Sequence, residues 1–223
     1  MSAEDFASWH QQYQAALNSM VDRDDKIDRC AALIERDFDL VGSTGLEDKL
    51  QDGVPDAIEM IRKAGIKLWV LTGDKIETAT NIAYACKLLD DAINQYMIDG
   101  VRSADVYKQL CNAENQENLH MNVTKSAIIV SGDALQKICQ NDKILPKFIE
   151  VSQKADVVLA CRVSPKQKAE IVQMVRKNTP SAITMAIGDG ANDVNMITQA
   201  HVGIGIEGLE GMQAARASDY AIS

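Results

Sequence analysis

The sequence predicts an α/β fold in which a mostly parallel sheet is covered by helices on both faces. From residue 38 onward, short apolar runs alternate with longer segments of helical periodicity, the order that is typical of parallel strands joined by helical crossovers. The runs are apolar at successive positions, as at residues 157–161, which indicates strands buried on both faces. We therefore expect ligands to bind beyond the carboxyl ends of the strands.

Residues 1–37 have a different pattern. Apolar side chains recur there at helical spacing on a strongly polar background that contains no glycine or proline. This pattern predicts two helices. We interpret the segment as a short helical lead-in that precedes an α/β domain at residues 38–223.

The elements from residue 38 follow one another as strand and helix in alternation. The predicted strands occupy residues 38–45, 66–71, 96–98, 127–130, 157–161, 183–187 and 202–206. The predicted helices occupy residues 54–64, 77–88, 104–110, 133–154 (more than one helix), 166–177 and 192–199. A polar stretch rich in Asn and Gln, residues 90–122, is expected to be a variable insertion.

The charge of the chain limits its partners. Its 223 residues carry a formal net charge of -9, and such a surface repels a phosphate backbone, so we expect no nucleic acid partner. A phosphate group has to be held locally, by a few Lys or Arg side chains, backbone N–H groups and a divalent metal ion.

The cysteines and the hydropathy pattern bear on the compartment. Five cysteines are scattered singly, without a CxxC pair, so we predict reduced thiols, which fit the cytosol. The sequence has no apolar run of about 18 residues, and this chain by itself is not expected to span a bilayer.

The strongest local motif is the run Gly-Asp-Gly-Ala-Asn-Asp at residues 188–193, directly after a predicted strand. Asp189 and Asp193 are four residues apart, and both carboxylates can face one point when the second lies in the first turn of the next helix. Paired carboxylate oxygens suit Mg²⁺. The alternative is a polar loop in which Asp193 is only a helix N-terminal charge.

A second motif, Thr72-Gly73-Asp74, follows the predicted strand at residues 66–71. A hydroxyl, a flexible glycine N–H and a helix N-terminus together form an anion site for a phosphoryl group. The alternative is that Thr72 or Asp74 serves only as the N-cap of the next helix.

A third motif places Lys168 in the first turn of the predicted helix at residues 166–177. A cation is unfavourable at a helix N-terminus, so its position suggests a nearby anion. Lys166 is the competing lysine, a solvated surface position is the alternative for either, and spacing alone does not separate them.

Taken in order, a strand-end Thr, a helix-start Lys and a strand-end Asp pair resemble the second, third and fourth motifs of the haloacid-dehalogenase-like phosphotransferases. In that superfamily the first motif is a strand ending in an Asp that attacks phosphorus, with Mg²⁺ and the Lys neutralising charge. Asp22-Arg23-Asp24 has the right carboxylate spacing. We reject it because it lies in a helical pattern and no Thr follows at the expected place. We therefore expect the chain alone to show no catalytic turnover, because it lacks the nucleophilic aspartate.

Longer stretches resemble the P-type ATPases, specifically the phospholipid-transporting flippases. Those shared with P-type ATPases in general are residues 71–79, 81–83 and 188–196, and those similar to flippases are 45–55, 75–78, 161–170, 208–214 and 217–221. The resemblance runs from about residue 38 to the end, and residues 1–37 resemble the end of the nucleotide-binding domain. It implies a haloacid-dehalogenase-like Rossmannoid phosphorylation domain.

The resemblance also implies roles for individual residues and for the parent protein. Asp189 and Asp193 would hold Mg²⁺, and Lys168 would neutralise the transferred phosphoryl group. The residues that would meet ATP phosphates or the phosphorylated aspartate are Thr72, Gly73, Asp74, Arg162 and Asn192. The parent would be a multi-pass membrane protein with this domain on its cytosolic side, with a phospholipid as substrate and an accessory membrane subunit as a further partner; the nucleophilic aspartate would lie upstream.

Two other interpretations remain open from the sequence. One is a stand-alone phosphatase of the same superfamily, which the run of later motifs favours. The other is a catalytically inactive remnant that binds a nucleotide or a partner protein, which the initiating Met1 favours.

Overall fold

A computed structural model describes residues 2–36, 38–45, 49–119, 125–208 and 211–223 of the chain. The chain divides into two compact units, residues 1–47 and residues 48–223. Each unit is described separately below.

The first unit contains the two helices expected there, α1 at Ala3–Leu17 and α2 at Arg23–Ile34. Helix α1 begins with a capping box between Ser2 and Asp5. The helices are joined by the Trp9 indole, whose Nε1 donates to the carbonyl of Cys30 at 2.7 Å.

The strand predicted at residues 38–45 is wrong. All eight of these residues are described, and none belongs to a strand or helix. Their apolar side chains, Phe38, Leu40 and Val41, are exposed. A strand needs a neighbour for its N–H and C=O groups, and this segment makes no strand pairing in the described residues.

The second unit has the predicted alternation of strands and helices. Its strands are β1 (Leu68–Leu71), β2 (Asn94–Ile98), β3 (Ser126–Ser131), β4 (Val157–Cys161), β5 (Met185–Gly188), β6 (Val202–Ile206) and β7 (Tyr220–Ile222). Its helices are α3 (Val54–Lys63), α4 (Ile76–Ala85), α5 (Ser103–Leu119), α6 (Gly132–Cys139), α7 (Ile144–Lys154), α8 (Pro165–Asn178), α9 (Val194–Gln199) and α10 (Gln213–Ala217). Helix α10 and strand β7 were not predicted, and the helix predicted at residues 104–110 is shorter than α5.

The strands form two parallel sheets rather than the single sheet that was expected. One sheet has the order β1-β4-β3-β2 and the other has the order β5-β6-β7, and every ladder between the described strands is parallel. Strands β1 and β5 are edge strands that do not pair with each other. The α/β class is confirmed, but apolar runs do not reveal which strands are neighbours.

The central strands of the larger sheet, β3 and β4, are buried on both faces, as their apolar runs predicted. Ile128 and Val158 point into one core with α5, α6, α7 and α8. Their neighbours Ala127 and Val157 point into a second core with α4 and with side chains of α3. This alternation follows from the two-residue period of a strand, and it fixes the positions of the strand ends.

A glycine in β6 explains how the unpredicted helix α10 packs. A Cβ placed on Gly205 would lie 2.4 Å from the carbonyl oxygen of Ala214. Only a residue without a side chain lets the helix backbone come this close to the strand. Because α10 has only five residues, periodicity carries little signal for it.

We predict that Ile128→Ala lowers the free energy of unfolding by about 2–5 kcal/mol, because it removes buried methyl groups and leaves a cavity. Ile128→Val is expected to cost only about 0.5–1.5 kcal/mol. Ile183→Ala is the matched control, since Ile183 is 77% exposed whereas Ile128 is 0% exposed. Urea denaturation of the three variants measures the difference, and equal losses for both Ala variants would contradict the described core.

Candidate functional site

Backbone hydrogen bonds hold the carboxyl ends of β1 and β4 together. The N–H of Val163 donates to the carbonyl of Thr72 at 3.1 Å, and the N–H of Arg162 donates to the carbonyl of Asp74 at 2.9 Å. Both bonds lie just beyond the strands, so the parallel ladder continues into the loops. The predicted motif Thr72-Gly73-Asp74 therefore lies beside the predicted site residue Arg162.

The Thr72 loop is closed by its own side chains. The Thr72 hydroxyl donates to Asp74 Oδ2 at 2.7 Å and accepts from the N–H of Asp74 at 3.1 Å. The N-cap of α4 is Lys75, whose side chain makes no capping bond, so the alternative that Thr72 or Asp74 is the N-cap is wrong. A Cβ at Gly73 would meet nothing within 4 Å, and the space beside this loop is open to a ligand.

Arg162 has an unusual backbone conformation at the end of β4. Its φ of 54° lies in the left-handed region, which is strained for a residue with a side chain. Gly132, the first residue of α6, packs directly beneath it, since a Cβ there would lie 2.2 Å from the Arg162 carbonyl oxygen. The Arg162 side chain is exposed.

Lys168 and Asp193 form the main polar contact of the site. Lys168 Nζ lies 2.7 Å from Asp193 Oδ1, and the two side chains are only 13% and 11% exposed. The competing Lys166 is 85% exposed and lies 3.5 Å from Glu170 on the same helix. The structure therefore separates the two lysines, and only Lys168 meets a carboxylate of the run at residues 188–193.

The two carboxylates of the Gly-Asp-Gly-Ala-Asn-Asp run differ in their surroundings. Asp193 packs against Gly188, where a Cβ would lie 2.3 Å from Asp193 Cβ. Asp189 is exposed, as is Asn192, and Asp189 lies next to Gly208. Asp193 sits at the end of a 3₁₀ turn, Ala191–Asp193, rather than inside an α-helix.

The donor set fits Mg²⁺ but is incomplete. Within the described ranges no three His, Cys, Asp or Glu side chains form a metal-binding group. Mg²⁺ is commonly held by one or two carboxylates with water and phosphate filling the other positions. Asp189 and Asp193 supply that number of carboxylates.

Cys161 closes β4 beneath the Thr72 loop, and the structure buries it completely. Burial, and after it the negative charges of Asp74 and Glu77, raise the pKa of its thiol from 9.0 to about 11. The thiol is therefore protonated at neutral pH and is a poor nucleophile.

Sequence reasoning missed one residue that connects the site. Gln167 donates its Nε2 to the carbonyl of Gly132 at 2.7 Å and accepts from the N–H of Ser164 at 2.9 Å. The Ser164-to-Gln167 spacing is a capping-box signature that was available in the sequence. The contact with Gly132, 35 residues away, had no local signal.

Comparison with known proteins gives the family context. The sequence model of a family described as haloacid dehalogenase-like hydrolase matches residues 51–208. That range contains all eight of the sequence-predicted site residues.

Curated relatives match nearly the whole chain. The chain is 43% identical over 97% of its length to the probable phospholipid-transporting ATPase DNF3 of Saccharomyces cerevisiae, of which it covers 13%. It is 42% identical to the phospholipid-transporting ATPase DRS2 of the same yeast, over all of this chain and 16% of that protein. It is 41% identical to the probable phospholipid-transporting ATPase 4 of Arabidopsis thaliana, of which it covers 19%. The chain thus spans less than a fifth of the length of these relatives.

None of the helices in the described part of the chain is long and apolar enough to cross a membrane.

We predict that Lys168→Met lowers the free energy of unfolding by about 3 kcal/mol, because it leaves the Asp193 carboxylate unpaired in a poorly solvated position. Lys166→Met is the matched control two residues away, and it is expected to change stability by less than about 0.5 kcal/mol. Chemical denaturation of both variants tests this. Equal effects of the two substitutions would show that the Lys168–Asp193 contact carries no special stability.

We predict that Cys161 makes stability fall as the pH rises from about 9 to about 11. The folded thiol keeps its proton in this window whereas the unfolded thiol loses it, so the folded state binds more protons and is penalised by rising pH. The stability difference between wild type and Cys161→Ala is expected to shrink by about 1–2 kcal/mol. Unfolding curves at pH 8, 9, 10 and 11 measure it, and parallel curves would contradict the prediction.

Proposed function

Because this chain belongs to the haloacid dehalogenase-like hydrolases and is related along nearly its whole length to one segment of the phospholipid-transporting P-type ATPases, we propose that its parent protein is an ATP-driven phospholipid flippase. ATP hydrolysis through an aspartyl-phosphate moves a phospholipid between membrane leaflets. This chain contributes the Mg²⁺ and phosphate-binding part of the phosphorylation domain.

The contact between Lys168 and Asp193 is the single observation that carries the proposal. It joins the third motif to the fourth at the carboxyl edge of the strands, where α/β folds bind ligands. An ammonium group and a metal-binding carboxylate at one point are what a transferring phosphoryl group requires, since its charge is neutralised from both sides. The exposed carboxylate of Asp189 lies four residues before Asp193 in the same run, which supports a ligand site rather than a purely structural ion pair.

Each site residue has a role in the proposal. Asp189 and Asp193 would hold Mg²⁺, which would supply positive charge to neutralise the phosphate group. Lys168 balances the charge of the transferred phosphoryl group. The residues proposed to contact phosphate or nucleotide are Thr72, Gly73, Asp74, Arg162 and Asn192.

The nucleophilic aspartate comes from another segment of the parent protein. We place its strand between β1 and β5, because these are the edge strands of the two sheets and both carry a site motif at their carboxyl ends. A strand added there would pair its backbone N–H and C=O groups with both edges and would bring its terminal carboxylate between Thr72 and Asp189.

The surroundings of the parent follow from the same proposal. The domain faces the cytosol, where ATP is present, and the phospholipid is handled by membrane segments outside this chain. An accessory membrane subunit is a further partner. The acidic balance of the chain, a net charge of -9, supports the absence of a nucleic acid partner.

We predict that Asp189→Asn abolishes Mg²⁺-dependent ATP hydrolysis and phospholipid transport by the full-length parent in proteoliposomes, because it removes a carboxylate from the metal site. The loss is expected to be at least about 100-fold. Asp133→Asn is the matched control, since Asp133 is also an exposed aspartate just after a strand but has no place in the site. Hydrolysis and transport are measured in the same vesicles.

Two outcomes would overturn the proposal. Strong Mg²⁺-dependent phosphatase activity of this chain alone, lost in Asp189→Ala, would favour a stand-alone phosphatase. A mature transcript without an upstream strand ending in Asp-Lys-Thr-Gly-Thr would favour a binding-only protein. Detection of an acid-stable, hydroxylamine-sensitive phosphoenzyme in the full-length parent would support the flippase.

A further inference from the structure

We infer that Gln167 is a positioning residue, whose side-chain amide fixes the first turn of α8 and thereby holds the Lys168 ammonium on the Asp193 carboxylate. The importance of this role for catalysis rests on the proposed function. The positioning itself is a property of this chain and is testable without any activity.

The Gln167 amide connects two loops of the site. Its Oε1 accepts from the backbone N–H of Ser164 at 2.9 Å, and its Nε2 donates to the carbonyl of Gly132 at 2.7 Å. The Ser164 hydroxyl accepts from the N–H of Gln167 at 3.3 Å and completes the capping box of α8. The start of α8 is thus bonded both to itself and to the turn between β3 and α6.

The two partners of the amide require a donor and an acceptor at the same side-chain end. A backbone N–H only donates and a carbonyl only accepts. Glutamate offers acceptors alone and lysine offers donors alone, whereas asparagine is one methylene shorter. Capping of the helix requires only the acceptor, Oε1. The bond that Nε2 donates to Gly132 therefore has a role other than capping.

The donor half reaches a rigid point of the fold. Gly132 is buried and lies so close to Arg162 that a Cβ there would be 2.2 Å from the Arg162 carbonyl oxygen. Arg162 in turn is bonded to the Thr72 loop through its N–H to Asp74. The bond from Gln167 to Gly132 therefore ties the start of α8 to the ends of β3, β4 and β1.

The Lys168 side chain starts from the helical turn that these bonds hold in place. Lys168 is the next residue after Gln167, and its own N–H donates to the carbonyl of Ser164 at 3.0 Å in the same turn. A lysine side chain is long and flexible, and a cation in the first helical turn is repelled by the helix dipole. Fixing the turn from which the side chain starts lowers the entropy that is lost when Nζ binds Asp193.

A double-mutant cycle in the purified chain tests this inference. The cycle of Lys168→Met and Asp193→Asn gives the factor by which the two residues stabilise each other. We expect the background substitution Gln167→Met to reduce that factor at least about fivefold, because the turn is released. Gln173→Met is the matched control on the same helix, where the side chain donates to Gln199 instead, and it is expected to leave the factor unchanged.

A merely structural role predicts a different result. Gln167→Met would then lower the stability of all four members of the cycle equally and leave the coupling factor intact, which would overturn the inference. Gln167→Glu serves as a second variant should Gln167→Met not fold, since it keeps the capping acceptor, removes the donor to Gly132 and adds one negative charge. An unchanged coupling factor in that variant also overturns the inference.

Kinetics of the full-length parent separate this inference from the proposed function. Gln167→Glu is expected to lower kcat for ATP hydrolysis about tenfold while KM changes less than about twofold, because an interaction of the transition state is lost. Absence of hydrolysis by the wild-type parent would refute the proposed function while the coupling factor still decides the positioning role. A normal kcat in Gln167→Glu would refute its importance for the reaction.

Discussion

The contact of α8 with the turn after β5 is the interaction on which the site depends. The two sheets share no ladder among the described strands, so their relative position is set by side chains. Helix α8 packs on the larger sheet through Ile171 and Met174, and its Arg176 donates to the carbonyl of Gln199 at the end of α9. The Lys168–Asp193 pair is the polar part of this junction, and it joins the first turn of α8 to the run at residues 188–193.

The rest of the larger sheet gives that junction its rigidity. Its central strands β3 and β4 are buried on both faces, and close-packed cores resist displacement of their elements. Hydrogen bonds beyond the strand ends extend this order into the loops, where Val163 is bonded to Thr72 and Arg162 to Asp74. The strained backbone of Arg162 is tolerated because its neighbours on both sides are fixed.

Sequence patterns predicted most of the elements, and the failures have physical causes. Strand β4 was predicted at its observed residues because five successive apolar positions have one explanation in an α/β chain. The segment at residues 38–45 also contains apolar side chains but forms no strand. A strand forms only beside a pairing partner, and the local sequence does not specify which segments become neighbours. The division into two sheets and the contact from Gln167 to Gly132 were missed for the same reason. Lys166 and Lys168 were indistinguishable by spacing, because the direction of a side chain depends on which helix face meets the neighbouring element.

The open edges of β1 and β5 have a consequence for biosynthesis. An edge strand with apolar side chains offers its amide and carbonyl groups to any extended segment, including one from another chain. Met185 and Ile187 make β5 such an edge. Under the proposed function the missing strand lies upstream and leaves the ribosome first, so it would have to stay available until residues far downstream emerge. Until the upstream strand pairs with β1 and β5, their edges would remain open to aggregation. These two edges are therefore the segments that a chaperone would need to shield.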